Sequence, residues 1–319
     1  MQSGRFTRIV IASAVCLCVQ VTTASGQQAD APRSAADLAQ RLGVHVLSKG
    51  SSSRSEKRKA IKALPLQALA PQPRQRVEQV LGKVSQFRKL PAIQAPMDPA
   101  AFRYFLDHPD VAVSLWRVMD ISDFQLQQTG NFKFSADAGD GSRGNAEYVY
   151  RDNQQAVLVC DGIYKNPVLS KPIMARAVVH LHYQFQPGPA GQPPVLTQQI
   201  NAFISFPSTA VMTVAKVISP VTNKIMDRNC LEITVFLKVM SDSMQSRPQW
   251  VQTMAGRMDG VAPVRRTELT ELASSVSTAS RSRGTKSYLQ PNTDPTRKML
   301  PISGNTIRQT SQSRIIRRR

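Results

Sequence analysis

Apolar residues recur at two different spacings along this chain, and the switch from one to the other divides it. Helical spacing comes first. Residues 34–47 repeat Ala36, Leu38 and Leu42 behind Ser34, a possible cap. Residues 73–87 place Val77, Val80, Leu81 and Val84 on one side and arginine, glutamine and lysine on the other, an amphipathic helix. Asp98-Pro99 is a capping residue followed by proline at the first helical position, which predicts a helix over 100–106. His108-Pro109 interrupts it, and Asp110 caps a second helix over 111–119.

From Phe124 the period falls to two. Phe124, Leu126, Phe132 and Phe134 alternate with polar residues, and strands are expected over 146–151, 156–164, 173–185 and 196–206. Residues 137–144, Asp152-Asn153 and the Pro- and Gly-rich stretch 187–194 are the turns between them. Residues 210–218 read as one more strand because β-branched side chains dominate. Ser219-Pro220 then signals a helix start, and residues 221–244 run without a breaker, about 36 Å of helix. Leu231 falls on its buried side and Lys238 on its open edge; strand pieces within 233–240 stay an alternative. Pro248-Gln-Trp250 opens a short closing helix to Met258. The fold class expected is α+β: an antiparallel sheet of about six strands gripped by one long C-terminal helix.

Charge divides the same chain differently. The 319 residues carry a formal net charge of +20. Residues 27–90 hold 13 basic and 4 acidic side chains, residues 91–264 hold 14 of each, and residues 265–319 hold 12 basic and 3 acidic. A neutral, apolar middle between basic, Ser-, Gln- and Pro-rich ends is the pattern of a folded domain with solvated arms. The expected organisation is a single domain over 91–264, a basic linker with short amphipathic helices over 27–90, and a disordered basic tail over 265–319. The charge run 49–59 belongs to that linker and is expected to be disordered. Ahead of it, Arg5 and Arg8 precede an uncharged stretch over 9–21, and Ala24-Ser25-Gly26 follows. That order is a secretory signal cut after Gly26, too short to span a bilayer. It implies export to the periplasm or cell envelope and removal of Cys16 and Cys18.

Candidate chemistry is thin. Cys160 and Cys230 remain after cleavage; in an oxidising compartment they can form a disulfide, and they can equally pack as buried thiols. His180-Leu-His182 places two imidazoles on one face of a strand, a candidate metal pair, with only His45 and His108 left as histidine partners. Asp137 and Asp140 with Gly139 and Gly141 have part of a calcium loop but lack its alternate ligands and closing glutamate, so a hairpin turn explains them more simply. Gly139, Gly141 and Gly144 have no strand-turn-helix context for a dinucleotide. Asp161 and Glu147 are cavity carboxylates or surface groups, with surface the default. No nucleophile elbow and no Cys/His catalytic surroundings occur, so no cofactor is implied and no reaction is indicated.

Two short helices, a meander of strands and one long helix, in that order over residues 91–260, resemble the START-like (polyketide cyclase-like) superfamily, whose members hold apolar ligands between sheet and helix. The stretch Phe105-Leu-Asp-His-Pro-Asp-Val and residues 221–236 are also similar to an uncharacterised family of exported bacterial proteins. The resemblance implies an exported protein that binds a hydrophobic or amphipathic small molecule or lipid. A cell-envelope scaffold that uses its basic arms on an anionic component is the alternative, and a START-like enzyme the third reading; nucleic acid is not the expected partner. An enclosed apolar cavity of roughly 300 Å³ or more separates ligand binding from scaffolding.

Overall fold

The computed structural model describes residues 35–165 and 171–289. The expected signal segment 1–26, the expected cap at Ser34 and residues 290–319 lie outside them. Among the described residues one antiparallel sheet of nine strands forms, not about six, in the order β1-β3-β9-β8-β7-β6-β5-β4. The long strands are those expected: β6 (Ser142–Arg151), β7 (Gln155–Tyr164), β8 (Ile173–Gln186) and β9 (Val195–Ser205). β4 (Gln125–Gly130) and β5 (Lys133–Asp137) extend the meander at one edge.

The additional strands come from the segment expected to be a linker. β1 (His45–Ser48) pairs with β3 (Ala92–Pro96), and both β3 and β2 (Gln86–Lys89) pair with β9. Residues 35–90 also supply helices α1 (Ala35–Arg41), α2 (Arg54–Lys62) and α3 (Pro71–Leu81). The charge run is therefore not disordered. Ser53 caps α2 by accepting from the Glu56 N–H, and Glu56 pairs with both Lys59 and Lys89, which together pull its pKa down to about 2. Ala60, Leu64, Val77 and Val80 pack with Phe87, Val157, Val178 and Phe203 into a core on this outer face of the sheet. A net positive charge did not prevent folding because the cations stay outside while every third or fourth residue goes in.

The inner face carries the other helices. α4 (Pro99–Asp107) begins as expected, with Asp98 accepting from the Ala100 N–H at 2.9 Å. α5 (Pro109–Val118) is capped at His108, and Asp110 is buried inside its first turn instead of capping it. α6 (Thr209–Ser246) is one helix of 38 residues. The strand expected over 210–218 and the start at Ser219 are both overturned: Ser208 is the cap, and Pro220 lies within the helix. The alternative strands within 233–240 are helix as well. β-branched residues lower helix propensity by only tenths of a kcal/mol each, which tertiary packing overrides. Ser241 of α6 accepts from the Asp98 N–H at 2.9 Å and so ties α4 to it.

α7 (Pro248–Arg257) closes the domain as expected, but the chain does not end its structure there. α8 (Val264–Leu289) occupies the start of the tail expected to be disordered, with Leu269, Ala273 and Val276 buried against Met244, Val251 and Met254. Arg117 of α5 grips Asp259 at 2.6 Å and orients the α7–α8 connection.

Candidate functional site

The site grows from the aromatic content of α4 and α5. Phe102, Phe105 and Trp116 project toward the sheet and α6, because their helices pack by an apolar stripe. Phe236 of α6 meets the last two edge to face, at 5.8 Å from Phe105 and 5.7 Å from Trp116. Rings in such a frame fill space incompletely. A partly open cavity of about 190 Å³ remains between α4, α5, the strands and α6, walled by Phe105, Trp116, Leu126, Leu181, Ile200 and Phe236 among others. A second, of about 260 Å³, lies on the other side of Trp116 and Phe236, where Leu38, Met119, Ile121, Val235 and Val239 line it. The two share Trp116, Ile233 and Phe236.

Few polar side chains line the first cavity, and Tyr148 and Gln198 are held by partners within the protein. The Tyr148 hydroxyl donates to the Leu106 carbonyl at 2.8 Å. Gln198 donates to the Thr234 hydroxyl at 2.7 Å, and that hydroxyl donates to the Cys230 carbonyl at 2.7 Å. Cys230 is a buried thiol whose pKa burial pushes up to about 12, so it is not a nucleophile at neutral pH. Cys160 packs in the same core cluster, and no disulfide joins them. No carboxylate, imidazole or ammonium lines this cavity. Its chemistry is that of an apolar container.

The residues singled out from the sequence lie elsewhere. His180 and His182 sit on the outer face, rings 3.9 Å apart. His180 is fully buried, and burial with the neighbouring His182 lowers its pKa to about 3. The neutral ring then donates its Nε2–H to Gln155 Oε1 at 2.9 Å, which leaves that nitrogen no lone pair for a metal. Among the described residues no group of three or more His, Cys, Asp or Glu side chains could hold a metal ion. His45 is exposed on β1, and His108 lies between α4 and α5, 4.0 Å from Glu268 of α8.

The candidate calcium loop is a hairpin turn. Asp137 accepts from the Gly139 N–H and from Arg143, and Asp140 accepts from the Ser142 N–H. Gly141 is required there: φ is +94° and a Cβ would fall 2.1 Å from the Lys165 carbonyl oxygen. Asp161 bridges Arg76 and Arg176, and Glu147 pairs with Arg76 and Lys133, all on the outer face; neither carboxylate lines the two apolar cavities, and Asp161 borders a separate open one of about 510 Å³ with Arg143 and Arg176. The buried carboxylate missed by sequence reasoning is Asp110, 1 % exposed, whose pKa burial raises. It belongs to a cluster with His108, Tyr104, Arg265 and Glu268 under α8, a helix that was not anticipated.

No protein-family model matches this chain, and no curated protein does. A solved structure of an uncharacterised protein from Rhizobium leguminosarum is similar at 16 % identity, with a TM-score of 0.28, over 48 % of this chain and 96 % of that one.

Proposed function

We propose that this protein binds an apolar or amphipathic small molecule between its sheet and α6, in a helix-grip-like fold of the START-like kind. The observation that carries the reading is the pair of largely apolar cavities that share Trp116, Ile233 and Phe236 as their common wall. An apolar void of about 150 Å³ is enough to take a benzene-sized group, whereas a drug-sized ligand takes about 300 Å³ or more. Each cavity alone falls below the larger figure. An extended molecule would therefore occupy both, with Phe236 turned aside, and its apolar body would be recognised by burial rather than by hydrogen bonds.

No carboxylate, imidazole or ammonium lines the first cavity, and the one carboxylate on the second, Glu232, is held by Arg228; an acid–base or nucleophilic step needs a free titratable group within reach of the ligand, so the lining supports binding over catalysis. The N-terminal charge and hydropathy order supports export, so the ligand would be one met in the periplasm or envelope. No helix among the described residues is long and apolar enough to cross a membrane.

Native mass spectrometry of the full chain, purified from its host without detergent, tests the reading. The expected result is an adduct of lipid mass that departs on denaturation, or uptake of an added long-chain fatty acid. The bare polypeptide mass in both experiments would contradict it.

A further inference from the structure

Seven large hydrophobic side chains are exposed among the described residues, and four of them lie on two elements joined through one loop: Val46 and Leu47 on β1, Val221 and Ile225 on α6. Leu47 and Val221 are 54 % and 61 % exposed. The two pairs are brought together by the loop between β1 and α2. Ser52 of that loop accepts from Asn223 at 3.3 Å and from Arg88 at 3.4 Å, and Arg88 forms an ion pair with Asp227 of α6. A Cβ on Gly50 would strike that same Asp227 carboxylate at 2.7 Å, so the loop lies flat on the helix.

Cations interleave with these apolar residues. Lys49, Arg54, Arg58 and Lys224 are exposed and make no ion pair among the described residues. The acids on β1, the start of α2 and residues 221–228 are already paired: Glu56 with Lys59 and Lys89, Asp227 with Arg88. Uncompensated positive charge and protruding aliphatic side chains on one surface match an anionic lipid interface, where the cations meet headgroups and the aliphatic groups enter the acyl boundary. A nucleic acid or acidic polysaccharide would use the cations and leave Val46, Leu47, Val221 and Ile225 in water.

We infer that the surface formed by β1, the start of α2 and residues 221–228 of α6 docks this protein on an anionic lipid bilayer. The placement also serves the cavity. Val221, Ile225 and Glu232 fall at i, i+4 and i+11, one face of α6, and Glu232 is on the rim of the second cavity beside Ile233 and Phe236. A lipid leaving the bilayer at Ile225 would meet the apolar opening about two turns further along the same helix. Docking itself does not require that the cavity be filled.

Flotation of the full chain with vesicles tests the surface. Vesicles containing phosphatidylglycerol should carry the protein, and phosphatidylcholine vesicles should not. The double variant Arg58→Glu/Lys224→Glu should partition roughly 25-fold less or weaker still, at about fivefold per cation. The variant Arg247→Glu/Arg257→Glu changes net charge equally at the other end of α6 and on α7, and should bind like the parent; so should a cavity-filling Ala112→Phe. Leu47→Ser/Val221→Ser alters only exposed positions, should leave the thermal midpoint unchanged, and should still weaken binding. Equal losses for the two charge-reversed variants, full binding by Leu47→Ser/Val221→Ser, or no binding by the parent would overturn the assignment.

Discussion

Trp116 and Phe236 meet edge to face, ring centroids 5.7 Å apart and planes at 79°, and form the wall between two apolar cavities. Neither ring is locked by a polar partner; each is held by packing alone. Under the proposed function, such a wall would turn aside when a molecule larger than either void enters.

Replacing it should join the voids. Phe236→Ala is expected to lower stability by about 3 kcal/mol, the low end for a buried phenylalanine, because Phe236 already borders empty space on two sides. The same variant should accept a long-chain apolar probe at least as well as the parent. Urea denaturation with a parallel probe titration reads both; lost affinity at retained fold would argue against the joined-cavity account.

α6 encloses one side chain that its sequence placed in the open. Lys238, assigned to the open edge, is in fact 7 % exposed and paired with Asp242. Lys238→Asp therefore sets two carboxylates together in a buried place and should cost several kcal/mol. Lys224→Asp, exposed and without an ion pair, should change stability by less than about 0.5 kcal/mol. Thermal midpoints of the two variants separate these expectations; equal small shifts would mean α6 is not buried at Lys238.

How far the fold could be read follows from these residues. The central meander was legible because β6 to β9 are long and alternate, and Asp98-Pro99 announced α4 by cap and proline. The outer strands were not, since β1 and β2 have four residues each, too short for a period to show against the surrounding charge. α8 did carry a signal: Leu269, Leu272, Ala273 and Val276 recur at i, i+3, i+4 and i+7, diluted by serines, threonines and arginines that composition alone assigns to a tail. Of the site, α4, α5 and α6 were legible as helices. The cavity was not, because which rings face one another depends on the crossing of three helices distant in sequence. The histidine and aspartate motifs drew notice by their chemistry and proved to serve packing and turns.

The boundary of the folded unit moves accordingly. Limited trypsinolysis should leave a fragment that retains α8 to about Arg281, since Leu269 and Ala273 are fully buried. A chain ended at Val264 would expose that seam and should unfold at a lower temperature. A stable tryptic product ending near Val264 would show that α8 adds nothing.

Acid should destabilise the domain through His180. Its pKa falls from 6.5 to about 3 on folding, so below pH 6.5 the unfolded chain takes up a proton that the native state refuses. Stability present above pH 6.5 is thus lost as pH falls toward 3, by about 3 kcal/mol at pH 4.5. Asp110, its pKa raised, acts in the opposite sense, but is common to both proteins in the comparison. Urea midpoints at pH 7.5 and 4.5 should shift less in His180→Gln than in the parent; identical shifts would remove His180 from the account.

The space beside Trp116 is where we propose that an apolar ligand binds. The most direct measurement is a titration of the full chain with a fluorescent long-chain fatty acid, read by energy transfer from tryptophan, with Ala112→Phe as the comparison. Ala112 lines the first cavity, so a phenyl group there should fill it at little cost to the fold. Saturable binding to the parent, and its loss in Ala112→Phe at an unchanged thermal midpoint, is the predicted result. No saturable binding by the parent, or equal affinity in the filled variant, would contradict it.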